Sequence, residues 1–363
     1  MSTGAAALRQ GPPLEYIREE VRALHAYPVA AATGMVKLDM MENPYPLPDE
    51  LAQQLGRWLG TVALNRYPPG DLAAFRERLG AVVGLPAGSA LMLGNGSDEL
   101  IHLLLLACAR PGAVVLSPWP SFSMYKLSAV LDQCRFVEVA LQPDFSLDLP
   151  ALLAAIAQQQ PAVIFLAVPN NPTGNIFEPA AIEAVLDAAP GLVVIDEAYL
   201  PFAQQTWIGA LARRPQLLVL RTLSKLGLAG LRLGYLCGAP ALLAELDKVR
   251  PPFNVNVLSL AATDFLLDHF AVFEEQAARI RLDRTRLLAQ MQATPGVQAY
   301  ASAANFLLLR VPDATAVQAR LAGQGILVKD VSAAHPLLRS CLRVSVGTPD
   351  ENALFVHGLR ASL

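Results

Sequence analysis

Four short aliphatic runs in this chain each stop at a cluster of polar and turn residues, and that arrangement leaves few folds open. Ala113–Leu116 runs into SPWPSF, Ala162–Val168 into PNNPTG, Leu192–Ile195 into DEAY, and Leu217–Leu220 into RTLSK. Short runs rich in Val, Ile and Leu, without polar alternation, predict strands buried on both faces. Helical stretches such as Ser97–Ala109 and Pro179–Ala189 lie between them. Strands alternating with helices predict an α/β fold: a mostly parallel sheet flanked by helices.

Open sheets of this kind bind ligands beyond the carboxyl ends of their strands. Those ends carry Phe122, Asn171, Asp196, Tyr199, Ser224 and Lys225, so one crevice should collect polar and aromatic groups from four strands. The pattern changes after Arg250. PPFNVNVLS (251–259) reads as a break, followed by one long helical stretch over Leu258–Met291. Strands are expected at Asn305–Val311, Ile326–Lys329 and Leu342–Val346, with a helix near Ala314–Ala322 and a last one after Asn352. The expected organisation is a large domain over 36–255 and a smaller α+β domain over 256–363. The N-terminal segment, 1–35, should pack on the small domain or the domain junction.

Composition narrows the function classes. Hydrophobic residues make up 53% of the 363 residues and charged ones 16%, enough for a large core. The formal net charge is −3 with no basic stripe, which argues against nucleic acid or an anionic membrane surface as partner. No apolar run approaches the roughly 18 residues that span a bilayer. The first residues lack the apolar core of a signal peptide, so a cytoplasmic location is expected. Cys108, Cys134, Cys237 and Cys341 form no CxxC pair, and the five histidines are scattered, so no metal site is expected. The cysteines read as small buried hydrophobes, and His335 as a turn residue.

The strand ends carry the chemistry. Lys225 follows a buried run, and a lysine shielded from water has a lowered amine pKa and becomes a nucleophile toward an aldehyde. Asp196 ends another buried run. It either caps the next helix or pairs with a buried cation, because an unpaired buried charge is costly. The ring nitrogen of pyridoxal 5′-phosphate would be such a cation. Tyr199 and Asn171 could bond that cofactor's phenolic oxygen. In GNGSDELIHLLLL (94–106), small residues precede an apolar helix with Ser97 as expected N-cap, so the backbone near Gly96, Ser97 and Asp98 could hold a phosphate. Asp98 and Glu99 put negative charge into that turn and must be paired or point away. Arg232 offers a fork for a phosphate, and Ser224 a hydroxyl. Phe122 alone reads as core packing, but it could stack on the cofactor ring. Arg343, between apolar neighbours in CLRVSVG, suggests a carboxylate partner, such as the α-carboxylate of glutamate.

Taken together, PNNPTG, VIDEAY, TLSK with AGLRLGY, and CLRVSVG occur in the order seen in fold-type I, aspartate-aminotransferase-like enzymes. MENPYPLP (41–48), NRYP (65–68), GNGSDE (94–99), VRPPFNVN (249–256), SAANFLLLR (302–310) and GILVKD (325–330) resemble, more narrowly, the histidinol-phosphate aminotransferases. The resemblance runs from about Tyr27 to Asn352. It implies pyridoxal 5′-phosphate bound covalently to Lys225, with Asp196 on the ring nitrogen and Asn171 and Tyr199 on the phenolic oxygen. It also implies Phe122 on the ring face, and Ser224, Arg232 and the Gly96–Asp98 backbone on the phosphate. Tyr67 would reach the phosphate of a second subunit, so a homodimer with shared sites is implied. Asn43 and Arg343 would line the substrate pocket, and Tyr27 and Lys329 would contact substrate. Two departures are visible: the loop KLGLAGLR is one residue shorter than in many members, and Lys329 stands where many have Arg.

The implied reaction is L-histidinol phosphate plus 2-oxoglutarate giving imidazole-acetol phosphate plus L-glutamate. The alternatives on the same scaffold are an aromatic aminotransferase and an amino-acid-phosphate decarboxylase. A more distant one is a non-catalytic regulator that binds pyridoxal phosphate.

Overall fold

The computed structural model describes residues 14–24 and 32–363. The chain divides into two units, 1–31 and 32–363. In the first, a 3-10 turn at Leu14–Tyr16 precedes a short helix, Glu19–Arg22. Tyr27 lies outside the described residues.

The second unit opens with strand β1 (Val36–Lys37) and helices α1 (Asp49–Leu59) and α2 (Ala73–Val82). The alternating region follows: β2 (Ala90–Gly94), α3 (Ser97–Cys108), β3 (Val114–Trp119), α4 (Ser123–Leu131), β4 (Arg135–Ala140), α5 (Leu149–Gln159) and β5 (Val163–Ala167). It continues through α6 (Pro179–Ala188), β6 (Leu192–Asp196), β7 (Leu217–Thr222), β8 (Gly234–Gly238) and α7 (Pro240–Leu246). The seven strands form one sheet in the order β2-β8-β7-β6-β5-β3-β4. Neighbours run parallel except around β8, which is antiparallel to both β7 and β2. All four expected strands are present, and β5 and β7 are buried along their whole length. Apolar side chains alternate between the faces. Val193, Ile195, Leu217 and Val219 feed one core cluster, and Val194, Leu218 and Leu220 feed the other.

The rest of the chain comprises α8 (Val257–Leu267), α9 (Phe270–Gln292), β9 (Gln298–Ala299), β10 (Phe306–Arg310), α10 (Ala314–Gly323), β11 (Ile326–Leu327), β12 (Lys329–Asp330), β13 (Cys341–Ser345) and α11 (Pro349–Ser362). A second sheet has the antiparallel order β12-β13-β10-β9, and β1 pairs parallel with β11. Its core gathers Phe306, Leu307, Leu309, Leu342, Val344 and Phe355.

Four local expectations are corrected. The single helix over Leu258–Met291 is two, parted at Asp268–His269. There α8 turns to pack on α1 and α2, and Asp268 is drawn to Arg78 at 2.7 Å. The strand over Ile326–Lys329 breaks at Val328, whose carbonyl accepts from the Gln318 side chain at 2.9 Å instead of joining a ladder. The last helix starts at Pro349, because Thr348 and Glu351 form a reciprocal capping box ahead of it. The N-cap of α3 is Gly96, at φ +83°, and Ser97 is its first helical residue. Among the described residues no helix is long and apolar enough to cross a membrane.

Candidate active site

The loop leaving β7 turns sharply over Ser224–Leu228, with Gly227 at φ +134°. A Cβ on Gly227 would lie 2.8 Å from the Asn43 amide, so the turn requires glycine. Asn43 in turn donates to the Leu226 carbonyl at 2.9 Å and to Gln276 at 2.8 Å. This anchoring aims Lys225 at the strand ends. Its Nζ donates to the Met40 carbonyl at 2.9 Å and lies 6.0 Å from the centre of the Tyr199 ring. Burial, reinforced by the positive charge of Arg343, lowers the amine pKa to about 8.

Asp196 ends β6 with both oxygens engaged. One accepts from the Tyr125 hydroxyl at 2.7 Å and the other from the Ala198 N–H at 2.9 Å. Burial pushes the carboxyl up to about 6, while those two donors hold it lower than burial alone would. The bond to Ala198 closes the turn after β6 and is not a helix cap: the next helix, Leu200–Ala203, has Tyr199 at its N-cap and no side-chain cap. The bond to Tyr125 was not foreseen from sequence. Phe122 stands at the N-terminus of α4, with its ring edge-on to Tyr125 at 5.5 Å.

The start of α3 and the loop after Lys225 meet at Gly96. A Cβ there would sit 2.7 Å from the Arg232 guanidinium, so a side chain would fill the space the arginine borders. Arg232 itself is left-handed, at φ +51°, and reaches Ser224 Oγ at 3.4 Å. The first-turn N–H groups of α3 have no intrahelical acceptor. These groups, with the arginine and the hydroxyl, make a cradle for a small dianion. The acids of that turn are paired: Asp98 lies 3.6 Å from Arg232, and Glu99 accepts from the Asn95 N–H and the Asn254 amide, each at 2.6 Å.

Arg343, 7% exposed on β13, crosses to the large sheet. It donates to Asn171 Oδ1 at 2.7 Å and to the Asp39 carbonyl at 2.9 Å, with Phe306 stacked beneath it at 5.8 Å. Lys329 is its cross-strand partner on β12. Segment 38–43 threads between these groups. Besides accepting from Arg343 and Lys225 and donating through Asn43, it accepts from the Ser345 N–H at Leu38 and from the Asn305 amide at Met41. Tyr67 stays outside the crevice. It is 79% exposed and stacked on Phe253 at 4.8 Å. His335 caps the 3-10 turn Pro336–Leu338 by accepting from the Leu337 N–H. Cys134, Cys237 and Cys341 are buried and Cys108 is partly so, all four as free thiols.

A cavity of about 460 Å³ lies on the opposite face of β6 and β7, bordered by Glu197, Arg221, Leu226, Phe270 and Arg281. Its buried ion pair, Arg221 to Glu197 at 2.9 Å, is satisfied internally, with Thr206 bonded to both partners. Strand alternation separates it from Asp196.

The crevice therefore joins a lysine of lowered pKa, a buried acid, an aromatic face and an anion cradle. Residues 33–359 match the model of the family described as aminotransferase class I and II. The chain belongs to that family. This aminotransferase is 54% identical over 352 residues to histidinol-phosphate aminotransferase 1 of Burkholderia lata, covering 97% of this chain and 99% of the relative. It is 55% identical to histidinol-phosphate aminotransferase 1 of Ralstonia nicotianae, covering 96% and 94%. Its fold is shared with the histidinol-phosphate aminotransferase of Sinorhizobium meliloti solved with pyridoxal 5′-phosphate. That match has a TM-score of 0.84 and 24% identity, and covers 96% of this chain and 97% of the other.

The residues of the aminotransferase fit that cofactor. The cradle at Gly96 and Arg232 matches a phosphate, Asp196 matches a protonated ring nitrogen, and Lys225 matches an aldehyde. Two contributors were absent from the sequence reading. Tyr125 has no local signature, and Met40 contributes only a backbone carbonyl.

Proposed function

We propose that this aminotransferase converts L-histidinol phosphate and 2-oxoglutarate to imidazole-acetol phosphate and L-glutamate, a step of histidine biosynthesis. The reading is carried by one observation: Lys225, Asp196 and the Gly96–Arg232 cradle share a crevice, in a chain more than half identical to relatives bearing that name. Bound there, pyridoxal 5′-phosphate supplies an aldehyde that takes up the amino group and a ring that withdraws the electron pair left at the α-carbon.

Lys225 would hold the aldehyde end of the cofactor through its Nζ. Once free, that Nζ would move a proton from the substrate α-carbon to the carbon that entered as the cofactor's aldehyde. An amine of pKa about 8 suits both steps near neutral pH, since it is neither always charged nor a poor acceptor. Asp196 holds the ring nitrogen charged, Tyr199 and Asn171 hold the phenolic oxygen, and Phe122 covers the ring face. Ser224, Arg232 and the backbone of Gly96, Ser97 and Asp98 hold the phosphate. Arg343 receives the α-carboxylate of glutamate bidentately, while Asn43 and Lys329 border the substrate. The substrate's own phosphate falls to Lys329 as a point charge rather than a fork.

The same reading gives a cytoplasmic homodimer in which Tyr67 completes the partner's phosphate site. Its exposed stack with Phe253 supports this, because an aromatic pair of that size is normally covered. It also divides each chain near residue 255 into a larger and a smaller domain. A half-reaction screen tests the substrate. The yellow holoenzyme is mixed with histidinol phosphate, phenylalanine or threonine phosphate, and conversion to the pyridoxamine form is followed by absorbance. Histidinol phosphate should react fastest, and no CO₂ should be released. Faster reaction with phenylalanine would overturn the assignment.

A further inference from the structure

Asp196 does not hold its own position. Its strand ends at the crevice, and the acid is the last residue of β6. With only the Ala198 N–H on Oδ1, a carboxylate on that terminal residue could still turn about χ2 or gain a proton, and in either case a ring nitrogen would lose its partner. Helix α4 prevents this from outside the strand. Tyr125, at 0% exposure, lies flat on Phe165 of β5 with ring centroids 4.4 Å apart and planes 7° apart. Phe122 closes on its edge at 5.5 Å. A ring clamped on two sides has one place for its hydroxyl, and that place is 2.7 Å from Asp196 Oδ2. Burial and the adjacent acid hold the phenol well above its ordinary range, so it remains a donor at every working pH.

We propose that Tyr125 is a positioning residue: its clamped hydroxyl fixes the plane of the Asp196 carboxylate and keeps it ionised against the cofactor's ring nitrogen. This rests on the assignment of Asp196 to that nitrogen. It also links two contacts through one helix, because Phe122, the residue expected on the ring face, begins the turn of α4 that carries Tyr125. The ring face and the ring nitrogen are thus served from one helix N-terminus.

The test is Tyr125→Phe, which removes one oxygen and keeps the ring stack. A charged ring nitrogen lowers the affinity of the lysine–cofactor link for a proton, because like charges repel. Weakening Asp196 should therefore raise the pH midpoint of the holoenzyme's visible absorption. The expected results for Tyr125→Phe are a midpoint raised by about half a unit or more, and a kcat lowered about tenfold with KM little changed. That kcat loss is the scale of one hydrogen bond to a charged group. The cofactor dissociation constant of the apo-protein should rise in parallel.

Phe165→Leu, which loosens the clamp but keeps the hydroxyl, should move the midpoint the same way by less. This variant also serves if Tyr125→Phe does not fold. In an Asp196→Asn background, Tyr125→Phe should cause no further shift. If Asp196→Asn shifts the midpoint while both Tyr125→Phe and Phe165→Leu leave it unchanged, this inference is wrong and the assignment of Asp196 stands. If Asp196→Asn itself leaves the midpoint unchanged, the assignment on which the inference rests fails first.

Discussion

The Arg343 guanidinium on β13 donates to Asn171 Oδ1 at 2.7 Å, and so ties the four-stranded sheet to the loop after β5 of the seven-stranded one. The same fork is the proposed seat of the substrate carboxylate. Arg343→Gln should lower kcat/KM for glutamate by about 10- to 100-fold, the scale of one or two charge-assisted bonds. The half-reaction with histidinol phosphate, which has no carboxylate, should lose much less. Stopped-flow measurement of both half-reactions checks this, and equal losses would make Arg343 a purely structural tie.

An amine of pKa about 8 is nucleophilic at pH values where ordinary lysines are still charged. Capture of the cofactor aldehyde by apo-protein should thus rise with pH to a plateau with its midpoint near 8, because only the neutral amine attacks. Borohydride should fix the label on Lys225. Lys225→Ala should lose the label and at least about 10²- to 10⁴-fold in turnover. Peptide mapping reads the first result and steady-state assay the second.

Gly96→Ala places a methyl group 2.7 Å from Arg232, on a backbone at φ +83° that only glycine adopts without strain. The backbone strain alone is worth about 1–3 kcal/mol. Cofactor affinity, measured by titrating apo-protein, should weaken about tenfold or more. The melting temperature should fall by only a few degrees, because the strain is confined to one turn at the surface of the sheet.

If Tyr67 serves the neighbouring subunit, two dead variants can repair each other. Tyr67→Ala and Lys225→Ala homodimers should each be impaired, and the Tyr67 change should also weaken association in sedimentation runs. After mixing and exchange, one site of each hybrid carries both native residues. Recovery approaching a quarter of wild-type turnover is expected, and no recovery would exclude a shared site.

Much of this was legible in the chain itself. The four aliphatic runs became β3, β5, β6 and β7 because a strand buried on both faces leaves no alternation to confuse with a helix. Lys225, Asp196, Asn171 and Arg343 sit at strand ends or mid-strand, where an isolated polar residue stands out against apolar neighbours. The edge strand β4 did not stand out, since Arg135 and Glu138, exposed on opposite faces of it, break the apolar run. Nor did β8, a five-residue strand bounded by glycines. The division of Leu258–Met291 into two helices depends on Asp268 finding Arg78, a contact 190 residues away in sequence. Tyr125 was invisible for the same kind of reason: within α4 it reads as one more core aromatic, and only the folded sheet brings Asp196 to its hydroxyl.

Residues 38–43 are bonded to both sheets at once: Leu38 and Asp39 to β13, Met40 to Lys225, and Asn43 to the turn after it. A short length of chain thereby works as a tie-rod. Any swing of the smaller sheet must drag the Met40 carbonyl along and withdraw the acceptor that steadies the lysine. Readiness of the amine and the opening of the crevice are then settings of one lever rather than two separate events.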